Sequence, residues 1–182
     1  MILETNRLLL RPWGESDAAD LFSQASHPDV GPAAGWPVHQ SLEESREIIK
    51  TVLSQPETYA LVDKVSGKPV GAIGLMIGGA SKLTTSDKEA ELGYWLGRDY
   101  WGQGLVPEAI RKLLCHAFET LKLETVWCGY FEGNEQSRRA QEKCGFTYQH
   151  KMENVEFPLI GEFRTEHVTR LTRTSWLESK EK

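Results

Sequence analysis

Hydrophobic and polar positions along the chain follow two periods, and together they predict a mixed fold. Short apolar or alternating runs predict strands. These runs cover residues 7–13, 58–64, 69–77, 89–97, 124–131, 146–152 and 162–171. Apolar residues three and four apart predict helices that begin at Ser16, Ser41 and Pro107, and 134–144 is predicted as a further short helix. The order indicates a mixed sheet with helices on its faces.

Local signals set several boundaries of these elements. Ser41 followed by Glu44 matches a capping box, in which Ser41 is the N-cap. Gly145 follows the 134–144 segment, as is common directly after a last helical turn. The stretch 27–40 between the first two helices is rich in proline and glycine and is predicted to be a loop.

The third predicted helix follows an unusually bare loop. Gly102 and Gly104 precede Pro107, whose missing N–H is tolerated in a first helical turn. The free N–H groups at such a helix start form an anion site. A P-loop would continue with Gly-Lys-Ser/Thr, and a dinucleotide fingerprint needs a glycine where Pro107 stands, so neither motif is present. A tight turn that binds nothing is the alternative.

Composition narrows the class of protein. A length of 182 residues fits one domain over 1–182. The net charge of -5 and the lack of a basic cluster argue against nucleic-acid binding. Three cysteines without a close pair indicate reduced thiols in a cytoplasmic protein, and scattered histidines predict no metal site. No apolar run long enough for a membrane and no signal-peptide pattern is found.

Four stretches, in the same order, closely resemble the GNAT superfamily of acyl-CoA-dependent N-acyltransferases. They are "LETNRLLLRPWGESDAADLF", "AELGYWLG…KCGF" (90–146), within it "NEQSRRAQEKCGF", and "HVTRLTRTSWL". In detail they resemble the branch that includes the RimJ/RimL protein N-terminal acetyltransferases. The resemblance implies an α/β (α+β) fold with a mixed, mostly antiparallel central sheet flanked by helices in a single domain. It also implies acetyl-CoA as the acetyl donor.

The resemblance assigns the bare loop to the pyrophosphate of coenzyme A, held by backbone amides. The implied cofactor-binding residues are Gly102, Gln103, Gly104, Leu105 and Val106 in the loop, Trp95, Leu96 and Gly97 along the acetyl and pantetheine arm, and Asn134, Ser137 and Arg139 on the next helix. Two positions depart from the superfamily pattern. Trp101 replaces Gln or Arg, and Val106 is bulkier than the usual small residue. We expect coenzyme binding to be retained.

Acetyl transfer to an amine needs a base for the amine, donors for the oxyanion and an acid for the leaving thiolate. Glu89 and Glu91 lie on one face of a predicted strand and are candidate bases, and the resemblance favours Glu91. Gly93 and Gly97 suit a splayed strand with unpaired main-chain donors. A tyrosine acid found in many relatives is replaced by Gln141, so Ser137 is the candidate acid.

The acceptor is the least determined part of this prediction. The loop with Trp36 and His39 covers the acceptor site in the family, and Tyr94 is a further candidate acceptor contact. A packing role is the alternative for Trp36 and His39, and a place in the core or the cofactor wall is the alternative for Tyr94. Direct attack by a primary amine in a ternary complex is predicted. The amine belongs to a protein N-terminus or to a small molecule such as a polyamine, an amino acid derivative or an antibiotic. A degenerate acyl-CoA-binding sensor is the remaining alternative, and a homodimer is compatible with the resemblance.

Overall fold

The computed structural model describes residues 1–181. Eight strands form one sheet in the order β1-β2-β3-β4-β5-β6-β8-β7. Their bounds are Leu3–Glu4 (β1), Leu8–Arg11 (β2), Thr58–Asp63 (β3), Pro69–Ile77 (β4), Glu89–Leu96 (β5), Thr125–Phe131 (β6), Thr147–Phe157 (β7) and Glu162–Thr172 (β8). Neighbours pair antiparallel except β5 and β6, which are parallel. The predicted mixed, mostly antiparallel sheet is confirmed.

Within residues 1–181, six α-helices accompany the sheet. They are Ala18–Ala25 (α1), Val30–Ala34 (α2), Leu42–Ile48 (α3), Leu105–Cys115 (α4), Glu135–Glu142 (α5) and Arg173–Lys180 (α6). One wider, π-helical turn continues α3 over Ile49–Leu53, and another continues α4 over His116–Thr120. Among residues 1–181, no helix combines the length and the apolar character that crossing a membrane requires.

Strand alternation divides the core between the two faces of the sheet. On β3, Leu61 lies in the cluster that contains the apolar stripe of α4, from Ile110 to Phe118. Ala60 and Val62 lie instead in the cluster with Leu21 of α1. Each large aliphatic side chain buried in this way contributes about 1.5–3 kcal/mol. Both faces of the sheet are therefore covered, as the period-two and period-3.6 patterns predict.

Several predicted boundaries are wrong in detail. The stretch 27–40 is not wholly a loop, because α2 lies within it and ends at Gly35 in the left-handed region. Helix α4 begins at Leu105 rather than Pro107, so the proline is the third helical residue and still lies in the first turn. Ser41 caps α3 through its side chain, but the Glu44 carboxylate accepts from the backbone N–H of Gln40 rather than from that of Ser41. Strand β1 and helix α6 were not predicted.

The parallel pair β5–β6 separates partway along its length. Its pairing begins at Glu89 and ends where Leu92 lies opposite Cys128. Beyond that point β5 remains paired with β4 as far as Leu96, while β6 remains paired with β8 as far as Phe131. The sheet thus opens between the two strands from Gly93 onward, one of the two glycines that suit a splayed strand.

Candidate active site

A cleft of about 1120 Å³ occupies the opening between β5 and β6. The start of α4 and the start of α5 border it, and α2 and the inner side of β8 contribute further residues. Of the residues singled out in the sequence, those that line the cleft are Glu91, Tyr94, Trp95, Leu96, Gly102, Gly104, Leu105, Val106, Asn134, Ser137 and Arg139. One continuous space therefore joins the bare loop to the candidate carboxylate.

The bare loop presents unused backbone donors to this cleft. Gly102 and Gly104 both have φ of +75°, a conformation that favours glycine, and Gly104 is the N-cap of α4. Among residues 1–181, the backbone N–H groups from Gly102 to Val106 have no hydrogen-bond acceptor. Free N–H groups at a helix N-terminus, in the field of the helix dipole, suit an anion such as a pyrophosphate.

Side chains from outside the loop fix its shape. The Arg7 guanidinium donates to the Gln103 carbonyl at 2.8 Å and to the Glu108 carboxylate at 2.7 Å. At the other side of the loop, the Trp101 indole N–H donates to the Leu96 carbonyl at 2.7 Å. Trp101, which departs from the superfamily pattern, thus connects the loop to the end of β5.

The two candidate bases have different surroundings. Glu91 lines the cleft, and its Oε2 accepts from the Lys82 N–H at 2.7 Å and from the Ser81 hydroxyl at 3.0 Å. Glu89 does not line the cleft, because Oε2 accepts from the Trp127 indole at 2.6 Å and from a threonine hydroxyl. Glu89 belongs to the first of the four β5–β6 pairs, and Glu91 belongs to the third, one residue before the point where the strands separate. The geometry favours Glu91.

A second carboxyl group that sequence reasoning missed, that of Glu166 on β8, also lines the cleft. A Cβ at Gly129 would overlap the Glu166 carboxylate, so the glycine lets this side chain cross β6. Burial, and then the negative charge of Glu91, raises the pKa of Glu166, while Lys82 opposes the shift. In residues 1–181, no group of three or more His, Cys, Asp or Glu side chains is placed to bind a metal ion.

The start of α5 lines the same cleft as the carboxylates. Asn134 is the N-cap, and its Oδ1 accepts from the Ser137 N–H at 3.1 Å. The Ser137 hydroxyl lies 2.7 Å from the Tyr94 hydroxyl. The predicted candidate acid therefore lies on the cleft wall, in contact with Tyr94, a candidate acceptor or cofactor-wall residue.

Trp36 and His39 do not line the cleft. Trp36 packs edge-on against Trp95, with ring centroids 5.5 Å apart. His39 is buried, its Nδ1 lies 2.8 Å from the Ser45 hydroxyl, and burial lowers its pKa. Both side chains are thus packing residues in this structure, and their acceptor contact stays a prediction.

Two predicted cofactor residues also lie outside the cleft lining. The Gly97 N–H donates to the Val70 carbonyl at 2.8 Å, so this amide is already in use. The Gln103 side chain donates back to the Asp99 carbonyl at 2.9 Å. By contrast, Arg139 lines the cleft, and within residues 1–181 it forms no ion pair.

Comparison with known proteins agrees with this architecture. Residues 7–147 match the family model of the acetyltransferase (GNAT) domain. The uncharacterized N-acetyltransferase YoaA of Bacillus subtilis (strain 168) is 29% identical over 150 residues, covering 80% of this chain and 82% of that protein. The ribosomal-protein-serine acetyltransferase of Escherichia coli (strain K12) is 25% identical over 126 residues, covering 67% and 68%.

A solved structure gives the same result for the fold. The crystal structure of an acetyltransferase (GNAT family) from Bacillus anthracis superposes with a TM-score of 0.83 at 20% identity, covering 96% of this chain and 99% of that one. The fold implied by the sequence motifs is confirmed, and the family match extends over most of the chain. The chain belongs to the GNAT family of N-acetyltransferases and is related to the ribosomal-protein acetyltransferases.

Proposed function

We propose that the chain transfers the acetyl group of acetyl-CoA to a primary amine by direct attack in a ternary complex. One observation carries this proposal. A single cleft has unused backbone amides at a helix N-terminus on one side and two carboxyl groups, Glu91 and Glu166, on another. The acetyl donor and the amine acceptor can therefore be bound in one cleft together, as direct attack requires.

The donor side of the cleft fits coenzyme A. The amides from Gly102 to Val106 would hold its pyrophosphate, and Arg139 would pair with a phosphate at the cleft rim. The amides of β5 beyond Leu92 that no longer face β6 would stabilise negative charge on the carbonyl oxygen under attack. Acetyl-CoA, when bound, supplies the activated thioester.

The acceptor side of the cleft fits an amine. The carboxylates Glu91 and Glu166 would attract the ammonium form, and Glu91 would take its proton, directly or through one water. Ser137, on the opposite wall, would donate a hydrogen bond to the sulfur as the C–S bond breaks. These roles use one oxygen of Glu91, because Oε2 is already bonded to the 81–82 segment.

We propose a protein N-terminal α-amine as the first acceptor class to test. The similarity to an enzyme named for acetylating a ribosomal protein supports it. A small amine with more than one positive charge is the second candidate, because two carboxyl groups share the acceptor side. The test is thiol release from acetyl-CoA with N-terminal peptides and with polyamines, run beside a coenzyme titration. Coenzyme binding without any turnover would instead favour a sensor.

Glu91→Gln gives the first prediction for this function. We expect kcat to fall about 100-fold or more, the usual contribution of a positioned base, with coenzyme affinity unchanged. Glu89→Gln is the matched control on the same strand face, since glutamine can still accept from Trp127. It should change kcat by less than about threefold, within the effect of one adjusted hydrogen bond. Equal losses in the two variants would exclude Glu91 as the base.

A further inference from the structure

We propose that Tyr94 is a positioning residue that acts through Ser137 and aims the Ser137 hydroxyl proton at the departing sulfur. The inference rests on the proposed function and goes beyond it, since Tyr94 is assigned here to the donor side of the reaction. Tyr94 belongs to β5 and Ser137 to α5, so the contact connects two walls of the cleft.

The contact is part of a compact hydrogen-bond network. The Tyr94 and Ser137 hydroxyl oxygens are 2.7 Å apart. The buried Gln141 side chain lies one turn further along α5, and its Nε2 is 3.2 Å from both hydroxyl oxygens and 3.0 Å from the Gly129 carbonyl. On its other side, Gln141 Oε1 accepts from the Thr169 hydroxyl at 2.7 Å.

Gln141 limits where the two hydroxyl protons can point, and the Ser137 carbonyl, 3.4 Å from the Tyr94 oxygen, is a more distant acceptor than Ser137 Oγ. The Gly129 carbonyl can only accept, and Thr169 donates to Oε1, so the amide N–H₂ group must face Gly129 and the two hydroxyls. One of its two N–H groups serves the Gly129 carbonyl, so Gln141 brings one donor and no acceptor to the hydroxyl pair. One hydroxyl of the pair must donate to the other, and the second proton must point elsewhere.

The phenol is the better donor of the two. An ordinary tyrosine has a pKa of about 10, far below that of an aliphatic alcohol. Tyr94 therefore donates to Ser137 Oγ, and the Ser137 proton is left to point into the cleft. Burial raises the pKa of Tyr94, and it disfavours a serine alkoxide at the same place for the same reason, so the phenol remains the more acidic of the two and stays protonated across the working pH range.

The arrangement strengthens Ser137 as a hydrogen-bond donor. An O–H group whose own oxygen accepts a hydrogen bond is polarised and donates more strongly. Ser137 then donates to the sulfur as negative charge collects there, and it keeps its proton. The thiolate leaves with the electron pair of the C–S bond and takes a proton later from solvent, so Ser137 is not left as an alkoxide. The proton that the attacking nitrogen loses passes to Glu91 and from there to solvent.

Tyr94→Phe tests the inference because it keeps the ring and removes only the hydroxyl. We expect kcat to fall about three- to tenfold, the effect of one hydrogen bond of about 0.5–1.5 kcal/mol, with coenzyme affinity unchanged. Ser137→Ala should lower kcat at least as much, and the double variant should match Ser137→Ala alone. Effects that multiply in the double variant, or full turnover in Tyr94→Phe, would overturn the inference.

A second readout needs no acceptor. The thiol of bound coenzyme A can be titrated through the ultraviolet absorbance of its thiolate, as a difference from the protein alone. A hydrogen bond from Ser137 to the thiolate lowers that thiol pKa, so Tyr94→Phe and Ser137→Ala should each raise it by about 0.5–1. Tyr148→Phe, at an exposed tyrosine on β7, is the control and should not move it.

The two readouts separate the inference from the proposed function. A raised thiol pKa in Tyr94→Phe supports the inference even if no amine turns over, in which case only the acceptor proposal fails. An unchanged thiol pKa in both variants overturns the inference even when the enzyme is active. Failure of the wild-type chain to bind coenzyme A would overturn both.

Discussion

Glu166 is half-buried beside a second carboxylate, and this changes the pH at which it ionises. Burial removes water from the charged form, and the negative charge of Glu91 opposes a second charge nearby. Both effects raise its pKa above the ordinary value of 4.5. Its proton is therefore still bound at a pH where an exposed glutamate is already ionised.

This shift predicts the pH dependence of the reaction. As pH rises, Glu166 loses its proton only above the pH range in which an ordinary glutamate ionises. The second negative charge that attracts the ammonium appears there, so kcat/KM for the acceptor should rise at pH values above that ordinary range. In Glu166→Gln this acid limb should be lost, because a neutral amide replaces the carboxyl group whose raised pKa produces it. Stopped thiol-release assays from pH 4 to 8, the span bracketing ordinary and raised carboxyl pKa values, would measure it.

Gly129→Ala provides a variant that moves the Glu166 carboxyl without removing it. The new methyl group would occupy the position of the carboxylate end, which is flexible enough to move while the strand stays in place. We expect the same change in acceptor kcat/KM as in Glu166→Gln, with coenzyme affinity retained. An unaltered pH profile in both variants would show that Glu166 takes no part in acceptor binding.

Sequence could identify some site residues and not others. Glu91 is predictable because alternation on one strand and the family motif both point to it. Glu166 is not, because its position depends on the register that places it opposite Phe131 on β6, and on the absence of a side chain at Gly129. Register between distant strands is set by packing of the whole sheet, which local patterns do not contain.

At the scale of an element, the proposed coenzyme site at the start of α4 depends on backbone shape rather than on side chains. Gly104→Ala tests this, because a left-handed alanine costs about 1 kcal/mol and would turn the adjacent amides. We expect coenzyme affinity to fall at least about tenfold, equivalent to about 1.4 kcal/mol. Titration calorimetry with coenzyme A would measure the loss.

Gly67→Ala is the matched control for that loop. Gly67 has φ of +70° in the β3–β4 turn, and a Cβ there would meet nothing within 4 Å. It carries the same backbone strain at a site that does not line the cleft. A comparable loss of coenzyme affinity in Gly67→Ala would mean that general destabilisation, rather than the amide geometry, weakens binding.

Element prediction succeeded where periodicity was long and failed where it was short. The stripe of α4 and the β3–β4 hairpin extend over enough residues to define a period, and both were predicted. Helix α2 has five residues, two of them Gly31 and Pro32, so its composition indicates a loop. Its helical form comes from packing, since Trp36 lies directly against Gly31.

At the scale of the molecule, the cleft joins two parts of the sheet that are not hydrogen-bonded to each other there. A bound coenzyme would contact the β5 side through the α4 loop and the β6 side through α5. Because the unfolded chain has no such cleft, binding adds directly to the free energy of unfolding.

This linkage gives a whole-molecule prediction. Coenzyme A at 100 times its dissociation constant should add about 2.7 kcal/mol to stability. For a chain of this size, each kcal/mol of added stability raises Tm by about 2–4 °C. Calorimetric or fluorescence melts would show it. Glu91→Gln should keep the shift, because its side chain faces the acceptor, and Gly104→Ala should lose much of it at the same coenzyme concentration.

The use of main-chain groups by the α4 loop also bears on how such a protein can change over evolutionary time. Every substitution except one to proline keeps the backbone N–H group. Most mutations between Gly102 and Val106 therefore change the orientation of these donors without removing them. The opposite side depends on two particular side chains, either of which a single codon change removes. Mutation can therefore change the acceptor while coenzyme binding by the main chain is retained. Under the proposed function, such a lineage could acquire new acceptors and keep the same acetyl donor.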